Sequence, residues 1–111
     1  MAHKTRKDRL YNNTEIQELI VSKAMGLSNS ELEKYCREDY SKIKFDLNYP
    51  LFIKVPTSYP EEEMNNAIID HNGQNRWTWR YKFQVDDYFY AITTLWYDRN
   101  DEYIQKWLRS V

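Results

Sequence analysis

Arg76-Trp77-Thr78-Trp79-Arg80-Tyr81-Lys82-Phe83-Gln84-Val85 alternates polar and apolar side chains without a break over ten residues. Successive side chains on a strand point to opposite faces of a sheet, so this run fits an extended strand with one buried face, whereas a helix would scatter its apolar members round the circumference. Asp86-Asp87 supplies a two-residue turn, and Tyr88 to Tyr97, rich in aromatic, β-branched and Thr side chains, predicts the return strand. A hairpin with so apolar a face needs a second layer to cover it.

If Val85 faces Tyr88, each earlier residue of one strand faces a later residue of the other, and the two faces follow. One holds Trp77, Trp79, Tyr81, Phe83 and Val85 with Tyr88, Tyr90, Ile92, Thr94 and Trp96 and is assigned to the core. Trp79 and Phe83 are thus expected to be buried, and Arg80 and Lys82 accessible. The other face holds Arg76, Thr78, Arg80, Lys82 and Gln84 with Phe89, Ala91, Thr93, Leu95 and Tyr97, a mixture of cations and aromatics.

Helical spacing frames this hairpin on both sides. Thr14-Glu15-Ile16-Gln17 has the capping-box form, Ile16, Leu19, Ile20 and Ala24 share a face, and Gly26 suits a left-handed helix end, which predicts a helix over 15–25. Ser28 and Glu31 form a second box ahead of an apolar stripe of Leu32, Tyr35, Cys36 and Ile43, which predicts a helix over 29–43 with Cys36 in the core. Pro50 to Pro56 reads as a short strand bracketed by prolines. In 57–75 two signals compete: Pro60 and Glu61 to Glu63 open a helix with Met64, Ala67 and Ile68 as its buried face, while Asn72-Gly73 is a hairpin cue. One helical turn near 60–65 followed by a strand satisfies both. Asn100 caps a final helix over 101–110 that buries Ile104, Trp107 and Leu108.

The expected fold is α+β: an N-terminal helical hairpin, an antiparallel sheet of about three to four strands centred on the 76–97 hairpin, and a C-terminal helix. A single domain spans 13–111. A flexible basic arm precedes it at 1–12, where Lys4, Arg6, Lys7 and Arg9 against Asp8 give a net +3. Val21 to Leu32 resembles a helix-turn-helix with Gly26 in its turn. That motif usually carries a small Ala where Ser22 stands, and Glu31, Glu33 and Glu38 would oppose phosphates, so a plain helical hairpin packed on the sheet is the preferred reading.

Composition narrows the chemistry. Two glycines exclude a glycine-rich phosphate loop, and Cys36, as the only cysteine, excludes an internal disulfide and a cysteine-based zinc site. With His3 in the arm and His71 near a turn, no metal site and no cofactor are expected. No run approaches the roughly 18 apolar residues of a membrane span, so a cytoplasmic protein without membrane contact is expected. The 10 Tyr, 4 Trp and 4 Phe concentrate apolar surface in flat rings, and a net charge of -1 is not the footprint of a duplex-DNA binder.

The cation–aromatic face, with Arg76, Arg80, Lys82, Phe89 and Tyr97 as candidate binding residues, suits an acidic protein or single-stranded nucleic acid. A catalytic alternative uses His71 as general base or acid with Arg80 and Lys82 beside a phosphate and Thr93 or Tyr97 completing the set. In outline this resembles the small ribonuclease toxins, which place a histidine and basic residues on an antiparallel sheet. Broad aromatic and charged surfaces without a convincing catalytic set point first to a small non-catalytic protein acting by protein–protein contact. Inhibitors and immunity factors, of the kind phages and mobile elements encode, work in this way. A metal-independent ribonuclease toxin and a single-stranded nucleic-acid-binding accessory protein are the alternatives.

Overall fold

The structure, a computed structural model, describes residues 11–110. The expected arm at 1–12 therefore falls almost wholly outside the described residues. Its last two positions are within them: Tyr11 packs against the core, and Asn12 is the cap of the first helix.

Among the described residues the architecture is α+β, with five α-helices and a three-stranded antiparallel sheet. Helix α1 covers Asn13–Ala24, α2 Asn29–Lys34, α3 Glu38–Phe45, α4 Glu61–Ala67 and α5 Asp101–Arg109. Strands β1 (Phe52–Pro56), β2 (Trp77–Val85) and β3 (Tyr88–Thr93) lie in the order β1-β3-β2, so β3 is central and β2 is an edge. No helix among the described residues is long and apolar enough to cross a membrane.

Local chemistry sets the helix ends, in places two residues from the expected position. The capping box of α1 is Asn12 with Glu15, not Thr14 with Gln17: Asn12 Oδ1 accepts from the Glu15 amide at 2.8 Å and Glu15 Oε1 from the Asn12 amide at 3.0 Å. Met25 closes α1 in a right-handed conformation, and Gly26 is not left-handed. The helix expected over 29–43 is two helices. It breaks after Lys34 and restarts at Glu38, and the buried Ser41 hydroxyl bridges the break by donating to the Tyr35 carbonyl and accepting from the Leu51 amide. The break resets the helical phase, so Ile43 leaves the buried stripe and stands 71% exposed. Helix α2, the one that would read DNA in a helix-turn-helix, is six residues long.

In the hairpin, Val85 faces Tyr88 and Phe83 faces Tyr90 as expected, but further along Thr78 faces Ile92 and Trp77 faces Thr93. Residues 79–82 therefore form an enlarged bulge, and the pairing slips by an odd number of residues across it. Because Tyr90 and Thr93 lie on opposite faces of the unbroken β3, Trp77 is on the face opposite Phe83 rather than beside it. Trp79 is half-buried, its indole donating to the Met64 carbonyl of α4 at 2.9 Å, while Arg80 and Lys82 are exposed as expected. The second face is covered as well, since Trp77, Ala91 and Thr93 are buried.

β3 ends at Thr93, four residues before the expected strand end. Thr94 still bonds Arg76 through both its amide (2.8 Å) and its hydroxyl (3.1 Å), after which the chain turns and drives Trp96 into the core against Phe45. In 57–75 the helix is α4, longer than one turn, and the expected strand shrinks to a single bridge between Ile69 and Asn75. The main core lies between the Phe83 face of the sheet and helices α1, α3 and α5. Phe83 stacks on Tyr90 at 5.2 Å and meets Phe52 edge-on at 5.6 Å, with Ile16, Ile20, Leu32 and Ile104 fully buried around them.

Candidate functional site

Five side chains were expected to share one face, and the structure separates them. The bulge carries Arg80, whose guanidinium lies 5.3 Å from the centre of the Tyr81 ring. Lys82 covers the ring of the half-buried Phe89 at 4.9 Å, so that ring is not open for stacking. Arg76 is elsewhere, at the start of β2, with its side chain only 12% exposed. It is paired through Nε with the buried Asp70 at 3.1 Å and lies 4.3 Å from the centre of the Tyr49 ring. Tyr97, exposed, lies in the turn before α5 and meets Arg99 at 5.0 Å. Arg76 and Tyr97 do meet round one small cavity, which Leu47, Asn48, Tyr49, Thr93, Leu95 and Arg99 complete.

The residues of the catalytic alternative lie on separate segments. His71 sits exposed in the turn after Asp70, stacked on Tyr49 at 5.9 Å, while Arg80 and Lys82 belong to the bulge and Thr93 is buried with its hydroxyl given to the Arg76 carbonyl. Cys36 is half-buried against the core, and burial pushes its thiol up to about 11, which keeps it protonated and unreactive at neutral pH.

The larger concave surface is a groove of about 510 Å³ between α3 and α5, lined by Ile43, Lys44, Glu102, Tyr103, Lys106, Trp107 and Ser110. Trp107 is buried and packs tilted on Phe45 at 5.3 Å, while its indole donates to the Tyr35 hydroxyl at 2.7 Å. Burial pushes that phenol up to about 12, so it stays protonated across the ordinary pH range. From α1, Lys23 reaches across to the Trp107 carbonyl and to the Ser110 carbonyl at 2.6 Å, satisfying orphan acceptors at the C-terminal end of α5. Ile43 and Tyr103, 71% and 42% exposed, present apolar surface to solvent beside this anchored indole, and Lys44 and Lys106 flank them against the single acid Glu102.

Periodicity did not point to this groove. Ile43 was read into a continuous stripe because the break at 35–37 carries neither Gly nor Pro, and Tyr103 lay off the buried face assigned to the last helix. The signal that was available is the Arg37-Glu38-Asp39 run, whose acids favour a fresh helix start. Compared with known protein families, curated proteins and solved structures, the chain matches none.

Proposed function

We propose that this chain is a non-catalytic binding protein that works by protein–protein contact, in the manner of an inhibitor or immunity factor, and that the α3–α5 groove is its contact surface. The observation that supports this reading is the pairing of exposed Ile43 and Tyr103 with a rigidly held Trp107, rimmed by two lysines. Exposed apolar side chains beside a buried aromatic anchor, ringed by charge, are the anatomy of an interface centre. Two lysines against one glutamate favour a partner surface that presents an apolar side chain flanked by carboxylates.

The experiment compares cross-linked capture from cells of the source organism by the wild-type chain, by Ile43→Glu/Tyr103→Glu and by Arg80→Glu/Lys82→Glu. These are exposed positions, where substitutions usually change stability by no more than about 0.5 kcal/mol. The expected outcome is a partner that the groove variant loses and the bulge variant keeps. Loss by the bulge variant alone would move the contact surface to Arg80 and Lys82. Purification from an unrelated host tests the class of function: growth arrest relieved by His71→Ala would identify an RNA-cleaving toxin, and co-purifying nucleic acid shed steeply with rising salt would identify a nucleic-acid binder.

A further inference from the structure

The small cavity at Arg76 is separate from the α3–α5 groove and of different chemistry. Each of its two arginines has a carboxylate and a tyrosine ring beside it. Arg76 gives Nε to Asp70 Oδ2 at 3.1 Å and lies over Tyr49 at 4.3 Å. Arg99 gives Nε to the Asp46 backbone carbonyl at 3.4 Å, with Asp46 Oδ2 3.5 Å away, and lies over Tyr97 at 5.0 Å. In each case a carboxylate lies on the Nε side and a tyrosine ring on one flat face, which orients the guanidinium before any ligand arrives, more firmly at the largely buried Arg76 than at the exposed Arg99. Among the described residues no protein acceptor is paired with the Nη groups of either arginine. Asn48 adds a third donor to the lining: its Oδ1 accepts from Lys42 Nζ at 3.3 Å, which leaves the amide NH₂ over.

The frame round the cavity is tied on each side. Buried Asn100 donates to the Phe45 carbonyl at 2.8 Å and the Asp46 carbonyl at 3.0 Å and accepts from the Tyr97 amide at 2.7 Å, which fixes the turn carrying Tyr97 and Arg99 to the end of α3. The Trp77 indole donates to the Pro50 carbonyl at 2.9 Å and holds the 46–50 loop to β2. The charged groups of the lining are both cations, since Asp46 and Asp70 stand behind the arginines and not in the wall, and Leu47 and Leu95 supply apolar sides. Such walls strengthen any charge interaction inside them.

We propose that this cavity is a binding site for one small oxyanion group, a carboxylate or a phosphate, held by the Nη groups of Arg76 and Arg99 and the Asn48 amide. A volume of about 110 Å³ has room for a single such group. Only an acceptor-rich anion pairs all these donors at once, because a cation is repelled and a neutral group leaves guanidinium N–H unpaired. The carboxylates behind the arginines offset part of their charge, which weakens the hold on a free ion.

The test is NMR of the arginine Nε–H groups of the full chain, titrated separately with inorganic phosphate and with acetate, each against chloride at matched ionic strength. The expected result is a saturable shift at Arg76 and Arg99 with one of the two anions and none at Arg80. Saturation with phosphate identifies a phosphoryl ligand, and saturation with acetate a carboxyl ligand. Arg99→Gln, at an exposed position, should abolish saturation at Arg76. Asn48→Asp, which sets a carboxylate at the wall, should weaken binding at least tenfold. Shifts that grow linearly at every arginine, or saturation unchanged in both variants, would overturn the proposal.

Discussion

With one oxygen Asp70 accepts from the amides of Asn72 (2.8 Å) and Gln74 (3.2 Å), and with the other from Arg76, so a single carboxylate closes the turn and anchors the arginine. Burial opposes its charge, but the Gln74 and Asn72 amides and Arg76 outweigh that and hold its carboxyl below the usual range. A carboxyl depressed in the folded chain contributes stability that is fully present above its unfolded value and is lost as pH falls through the folded one. Asp70→Asn should therefore lower the melting temperature at neutral pH, with the gap to wild type closing below about pH 3.9, the ordinary Asp value. A gap of constant size into strong acid would show that shape rather than charge matters at this position. The sequence showed Asn72-Gly73 as a turn and Arg76 as a cation, but not that one carboxylate joins them. A pairing across six residues is not encoded in strand alternation, and the alternation itself pointed Arg76 at solvent.

At the scale of elements, the alternation located β2 to within one residue of its observed start, and the apolar spacing of α5 likewise matched the burial of Ile104 and Trp107. Where reading along the chain fell short, the cause was a change of phase. Trp79 and Tyr81 continue the pattern through the bulge, so it leaves no mark in the sequence, and the break between α2 and α3 is made by Ser41 bonding across to Tyr35 and Leu51. The two glycines give a matched test. Gly26 lies outside the left-handed region, and a Cβ there would meet only the Lys23 carbonyl at 3.5 Å, so Gly26→Ala should raise stability by about 0.4–1 kcal/mol in denaturant melts. Gly73 sits at φ 79° with open space beside it, so Gly73→Ala should cost about 1–2 kcal/mol for conformational reasons alone. If both changes move stability in the same direction, the backbone assignment at one of them is wrong.

Across the whole molecule, helices α1, α3 and α5 share one aromatic core with the Phe83 face, and that core leaves few places for independent loss. Phe83→Ala should cost about 3–5 kcal/mol, a large part of the 5–15 kcal/mol that holds a domain of this size, and a melting temperature within a degree or so of wild type would refute its burial. Neither candidate site was legible as a whole, because α3 and α5 lie more than fifty residues apart in the chain and the Arg76 cavity joins three separate stretches. The bulge has a further consequence at this scale. β2 is an open edge of the sheet, and the same irregularity that breaks its ladder with β3 denies a straight row of amides and carbonyls to any strand arriving from outside. On the other edge, β1 is only five residues long and ends on Pro56, which has no amide to donate. A chain this rich in aromatic and β-branched strand residues would otherwise be prone to stacking copy upon copy into fibres, and its two blunted edges guard it against growing that way.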